Sequence, residues 1–400
     1  MTVSLGLSAL LCLLATPLVA QTSAEQFRKV LRDEATLTAG DLTILDQGQI
    51  VARLLPVKDK REVAVFGIVQ LGVPDRAFLQ FTRDNVAQRN NKAILQIGRF
   101  SSTPTIEDLQ ALTLESRDIE DLKRCSVGEC NLKMSAAMIE RIHNEVDWAA
   151  PDYAVQATLV FRQMLLDYVR DYLASGSAAL LSYSDRSRVV NLADEQRALL
   201  EATIYFNQFA PEFTRYVSTF PKPELAGAEN AIFWSKIKFG LKPVITVTHV
   251  IIYPRPANTA PQVLVASRQI YADHYFDSSL ALSAFVKLPA TDQSYLLYTN
   301  RSRADALGGL FSGLKRTLVE GEAIDSLKNI LQEQKLKMEI GAGSAEASQA
   351  GEGANTGWTV WHHWRLAGLH LFWWVLVIFS LAAVVWLVRR NSKRQGSRSW

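Results

Sequence analysis

Between residues 232 and 300, five segments rich in β-branched and aromatic residues follow one another, and a helical pattern closes the series. The segments are 232–239, 244–253, 263–271, 280–286 and 294–300. The second reads Val244-Ile245-Thr246-Val247-Thr248-His249-Val250-Ile251-Ile252-Tyr253, the composition of a central strand. Short turns carrying Pro, Asn or Asp separate most of them, which predicts antiparallel neighbours. From Asp305 to Met338, Leu307, Leu310, Phe311, Leu314, Leu318, Ile324, Leu327 and Leu331 fall along one side of a helix. The pattern constrains the chain to the α+β class, with an antiparallel sheet grasping a long C-terminal helix.

The earlier half supplies more elements. Two strand-like runs, 50–56 and 62–71, flank the charged turn Val57-Lys58-Asp59-Lys60-Arg61. Pro74 opens a helix that carries Phe78 and Phe81. A short apolar run covers 94–97, and Thr105-Ile106-Glu107-Asp108 resembles a capped helix start. From 135 to 220 the pattern is helical, with one stripe through Val160, Met164, Leu165, Tyr168, Val169 and Tyr172. Pro211, Pro221 and Pro223 punctuate its end.

The order of these elements resembles the helix-grip fold of START and Bet v 1-like proteins, the polyketide cyclase-like superfamily. The stretch 62–84 is similar to that fold's opening strand and helix, and 295–337 to its closing strand and helix. The resemblance covers 50–113 and 232–338 and makes 135–220 a helical insertion. It implies a curved sheet wrapped around the last helix, with a cavity for an apolar ligand.

Both ends of the chain are apolar. Residues 366–388 form an uncharged run of 23, long enough for a membrane-spanning helix, with Trp358, Trp361, Trp364 and Trp386 near its ends. Arg389, Arg390, Lys393, Arg394 and Arg398 follow, which predicts a cytoplasmic basic tail over 389–400. Residues 1–20 have the length of a signal peptide, with an uncleaved anchor as the competing reading. Residues 341–357, rich in Gly, Ala and Ser, read as a flexible linker. The expectation is a single-pass protein of the cell envelope. Its domain at 40–338 lies outside the cytoplasm, which is the periplasm if the source is bacterial, and the membrane is its first partner. His362, His363 and His370 read as neutral imidazoles at an interface.

The formal charge of +3 belongs to that basic tail, and the rest of the chain is slightly acidic. Nucleic-acid binding needs a concentrated basic face, so that class is excluded. Cys125 and Cys130 enclose Ser-Val-Gly-Glu, and an oxidising exterior predicts a disulfide between them.

The densest polar stretch is Arg268-Gln269-Ile270-Tyr271-Ala272-Asp273-His274-Tyr275-Phe276-Asp277. On a regular strand Arg268, His274 and Phe276 share one face, and Gln269, Tyr271, Asp273 and Tyr275 the other. His249 lies mid-strand, so paired strands bring His249 and His274 towards one another. Imidazoles suit acid–base work, and Asp273 or Asp277 can orient one. Regular alternation turns Asp273 and His274 to opposite faces, so the two are no ready dyad. Arg301 lies where an anionic head group can be held at a cavity mouth. His249, Tyr271, His274 and Arg301 are therefore the expected ligand-lining residues, with no metal and no cofactor. Glu140 and His143 match one half of a di-iron ExxH motif, but no second copy occurs. No GxSxG, HExxH, CxxCH or Walker A motif is present. Three functions remain: a domain binding an apolar or lipid-like ligand, a histidine-dependent envelope enzyme of cyclase or hydrolase type, or an envelope scaffold docking a partner through 135–220.

Overall fold

The computed structural model describes residues 25, 27–33, 35–86, 93–239, 242–288, 293–307 and 312–351. Eight strands form one antiparallel sheet. They are β1 (Val51–Leu54), β2 (Glu62–Leu71), β3 (Ile94–Arg99), β6 (Glu229–Ile237), β7 (Val244–Pro254), β8 (Val263–Ala272), β9 (Phe276–Lys287) and β10 (Ser294–Ala304). Their order across the sheet is β1-β2-β10-β9-β8-β7-β6-β3. The five C-terminal segments thus stand side by side, and β2 closes on β10 with Leu71 opposite Ser294 and Glu62 opposite Arg303.

Both faces of the sheet are covered, which is why β8 is buried along its whole length and β10 everywhere but at Arg303. One face carries helix α2 (Asp75–Val86) and the long helix α9 (Ser312–Gly351). Its core joins Val65, Phe78, Phe285, Leu327 and Leu331. Gly67 permits the close approach: a Cβ there would stand 2.6 Å from Leu331 Cδ1. The other face carries the helical block, made of α3 (Ser116–Arg124), α4 (Ala136–Glu145), α5 (Tyr153–Ser175), α6 (Leu192–Glu201), α7 (Ile204–Phe209) and α8 (Pro211–Thr219). A two-stranded ribbon, β4 (Ser182–Tyr183) with β5 (Val190–Asn191), lies between α5 and α6. The remaining helix, α1 (Ala39–Asp46), precedes β1 and is closed by a Thr38–Asp41 capping box.

The large antiparallel sheet and the α+β class stand as expected, but the membrane-spanning helix in that fold class is corrected. Among the described residues no helix is long and apolar enough to cross a membrane. The longest, α9, is amphipathic: Val319, Leu327, Leu331 and Met338 are buried, while Arg316–Glu320 and Lys337–Glu333 ion pairs lie along it. The run 366–388, together with 1–20 and 389–400, lies outside the described residues. The single-pass anchor and the membrane as a partner are withdrawn with it. Helix α9 also runs on to Gly351, through the first part of the segment read as a linker.

Candidate functional site

The expected lining residues face the helical block rather than α9. His249 sits on β7 opposite Ile232 and Arg268, fully buried. Its Nδ1 is 2.9 Å from the Tyr172 hydroxyl and its Nε2 is 3.0 Å from Asn230 Oδ1. Burial, helped by the nearby Arg268 charge, pushes its pKa down to about 3, so the ring is neutral. The Tyr172 hydroxyl accepts from Arg268 Nη1 at 3.3 Å and donates to Nδ1. The ring proton therefore sits on Nε2 and is given to Asn230, whose Nδ2 donates to the Tyr216 hydroxyl at 3.0 Å. Phe220 packs on the imidazole, ring centres 4.3 Å apart.

Arg268 begins this chain and is itself buried. Its guanidinium donates to Val217 O at 3.2 Å, Ser177 Oγ at 3.0 Å and Gln196 Oε1 at 3.4 Å, besides Tyr172. All these acceptors are neutral. Among the described residues no carboxylate forms an ion pair with it. A cavity of about 260 Å³ opens beside it, with Ala193, Leu200, Val217 and Leu280 as apolar wall and Ser177 and Gln196 as polar floor. Gln196 is held in place by donating to Gln269 O and Ser279 O, which directs its carbonyl oxygen to Arg268. Gly176 ends α5 with φ +57°, and a Cβ there would meet the Phe220 carbonyl oxygen at 1.5 Å. Only glycine lets α5 stop there and present Ser177 to the guanidinium. A second, wider hollow of about 410 Å³ borders the far end of the chain at Asn230, with Phe100, Ser101, Asp108 and Leu173 in its wall.

His274 lies elsewhere, in the turn after β8. Its Nδ1 is 3.0 Å from Asn131 O, and its Nε2 is 3.2 Å from Asp118 Oδ1 and 3.9 Å from Asp273 Oδ2. The two histidines share no partner. His249 pairs into the sheet three residues beyond Thr246, the partner of Ala272 where β8 ends, or about 10 Å along the strand. Asp273 and His274, assigned to opposite faces by strict alternation, come together because β8 ends at Ala272 and Tyr275 turns through φ +61°. Tyr271 faces the block as well. The register skips Ile270, with Val247 opposite Tyr271 and Thr248 opposite Gln269, and that bulge breaks the alternation. The Tyr271 hydroxyl donates to Lys133 O at 3.1 Å, and Phe161, Tyr168 and Tyr183 surround its ring.

Arg301 is occupied by an acid of the fold: its Nη1 is 2.6 Å from Glu62 Oε1. Glu62 also takes Arg303, which reaches Glu195 of α6 at 2.6 Å. Arg61 binds Glu195 and Asp277, and Lys133 binds Asp277 at 2.9 Å and Asp305 at 2.6 Å. This network joins the sheet to the helical block. Cys125 and Cys130 form the expected disulfide, immediately before Asn131 and Lys133.

No family model matches the chain, and no curated protein matches it. Among solved structures the chain is similar to the Zhui aromatase/cyclase from Streptomyces sp. R1128, at 18% identity over 40% of this chain and 87% of that one, with a TM-score of 0.17. At that score the likeness carries no argument, and the site is read from its own geometry.

Sequence reasoning placed His249 in a cavity wall and put Arg268 in the densest polar stretch, but gave Arg268 no role in the site. Arg268 was legible as the single charge in the apolar run Val263–Ile270. Tyr172 was hidden in a helical apolar stripe. Gln196, Ser177 and Asp118 carry no local signal, since only the packing of α5, α6 and α3 brings them in.

Proposed function

We propose that the protein binds a small amphipathic molecule carrying one anionic group, seated in the cavity at Arg268. The observation that carries this reading is the buried guanidinium with neutral partners only. Removing a charge from water is costly unless an opposite charge meets it, and four neutral acceptors leave the guanidinium's charge uncompensated. A carboxylate or phosphate entering the cavity supplies that charge and accepts the Nη2 hydrogen that Ser177 leaves open. The apolar wall of Ala193, Leu200, Val217 and Leu280 suits a short aliphatic or ring body. Its volume, about 260 Å³, falls near the lower end of small-molecule pockets, so the ligand is of metabolite size. The apolar-ligand expectation thus gains a charged end and moves to the opposite face of the sheet. The histidine-dependent enzyme is disfavoured, because both ring nitrogens of His249 are engaged and its pKa of about 3 keeps it from exchanging protons near neutrality. The disulfide supports an oxidising compartment for the folded part.

Calorimetry on the full chain with hexanoate, hexyl phosphate and hexanol tests the reading. The anions are expected to bind at least tenfold more tightly than hexanol, and Arg268→Gln to remove that difference. Equal binding of anion and alcohol by the native protein, or no binding of either, overturns it.

A further inference from the structure

We infer that Asp118, Asp273 and His274 form a binding site for a divalent transition cation of the zinc type, separate from the Arg268 cavity. One ligand atom from each lies within 4.8 Å of the others, and all three side chains are buried. Two elements converge there: Asp118 comes from the first turn of α3, and Asp273 with His274 from the turn joining β8 to β9.

The hydrogen bonding leaves one carboxylate oxygen of the cluster without a partner. Asp273 Oδ1 accepts from the Ile245 N–H at 2.8 Å, which fixes the carboxyl group. Its Oδ2 has no hydrogen-bond partner although the side chain is fully buried. An orphaned carboxylate oxygen in the interior is costly, so it marks a place where something positive belongs. The neighbouring imidazole is oriented to match. Asn131 O can only accept, so His274 Nδ1 carries a proton and donates it at 3.0 Å. Nε2 is then left facing Asp118 Oδ1 at 3.2 Å and Asp273 Oδ2 at 3.9 Å. Nε2 in that position needs either a proton, which it would donate to Asp118 Oδ1, or a metal cation held between it and the two carboxylate oxygens. A backbone carbonyl holding the far nitrogen is also the usual second shell of a metal-bound histidine.

The donor set selects the ion. Imidazole nitrogen and carboxylate oxygen are both zinc donors, three protein ligands leave a position open, and bond lengths of about 2.0–2.2 Å put donors about 3.3 Å apart. Magnesium and calcium prefer oxygen alone. Lys242 is the internal competitor, with Nζ 2.8 Å from Asp118 Oδ1. The same ammonium lies 2.6 Å from Asp121 Oδ2, in a carboxylate that Arg124 and Asn131 fix through its Oδ1, so it keeps a partner when Asp118 turns to the ion.

The test is a titration of the metal-free full chain with Zn²⁺, read by calorimetry, and with Co²⁺, read by its visible absorption. His362, His363 and His370 can take a separate equivalent, so the informative quantity is the equivalent lost on changing the cluster. His274→Gln and Asp273→Asn are each expected to weaken one equivalent at least tenfold with unchanged circular dichroism. Lys242→Met is expected to tighten that equivalent. Should Asp273→Asn fail to fold, the His274→Gln and Lys242→Met pair decides alone. The inference is overturned if His274→Gln binds as many equivalents as the native chain at the same affinity. It is equally overturned if no equivalent binds at micromolar metal, the cluster then being closed by a proton on Nε2 and by Lys242.

Discussion

Arg268 Nη1 stands 3.3 Å from the Tyr172 hydroxyl, and that contact sets the direction of every hydrogen bond from there to Asn230. A guanidinium cannot accept, so the tyrosine must pass its own proton on to His249 Nδ1. The imidazole is thereby held as the neutral Nε2–H form, between a cavity floored by Arg268 and a hollow bordered by Asn230.

Acid should therefore destabilise the protein through His249. Its folded pKa, about 3, lies below the ordinary 6.5, so between those values the unfolded chain binds a proton that the folded one refuses. The contribution is fully present above 6.5 and is lost as pH falls from 6.5 towards about 3. The slope is about 1.4 kcal/mol per pH unit once the unfolded imidazole is protonated. Urea unfolding at pH 7.5, 5.5 and 4.5 checks this against His249→Gln, which should lack that slope. Parallel pH profiles for the two proteins would contradict a neutral, buried imidazole.

Gly176→Ala should damage the cavity without touching its lining. The added methyl would overlap the carbonyl oxygen of Phe220 at a positive φ, and backbone cannot swing aside as a side chain can. The expected loss is about 2–4 kcal/mol, in the range of severe overpacking. Because Phe220 packs on His249 and Ser177 binds Arg268, hexanoate affinity should fall as well. A stable Gly176→Ala protein with native affinity would show that the α5 end does not position the site.

The strands were readable because their apolar runs are long and their turns carry Pro, Asn and Asp. Two features of the site escaped that reading for one reason, the departure from strict alternation. The bulge at Ile270 moves Tyr271 to the helical-block face, and the turn at Tyr275 brings Asp273 and His274 together. Neither has a sequence signature, since Tyr275 is not a glycine and Ile270 is an ordinary strand residue. The choice of face was equally hidden. Both faces of the sheet are buried, so hydrophobicity did not tell whether His249 looks towards α9 or towards α5.

The Cys125–Cys130 disulfide should matter more for position than for stability. A loop this short is worth about 2 kcal/mol in the chain-entropy model. Yet the residues that follow it hold two charged clusters, Asn131 through His274 and Asp121, and Lys133 through Asp277 and Asp305. Reduction, or a Cys125→Ser/Cys130→Ser protein, should lower urea stability by about 2 kcal/mol. It should also raise amide hydrogen exchange at Asn131–Lys133 above that of the sheet. Exchange unchanged there would mean that the turn is held by its hydrogen bonds alone.

Lys133→Met probes the joint between block and sheet. The ammonium is buried against Asp277 and Asp305, with Asp185 4.0 Å away, so its removal leaves carboxylates in the interior with less positive charge. Breaking one partner out of a buried ionic group typically costs about 3–5 kcal/mol. Asp277 keeps Arg61 at 2.6 Å, which places the expected loss at the lower end, about 3 kcal/mol. The loss should depend on pH in a defined sense. Without the lysine the folded-state pKa values of these acids rise, the folded state takes up protons before the unfolded one does, and stability recovers as pH falls. The variant should therefore lie closer to the native protein at pH 5 than at pH 8, and Lys133→Met/Asp277→Asn should be more stable than Lys133→Met alone. A deficit that is equal at both pH values would assign the loss to the missing packing of the side chain, and the joint would then be steric rather than electrostatic.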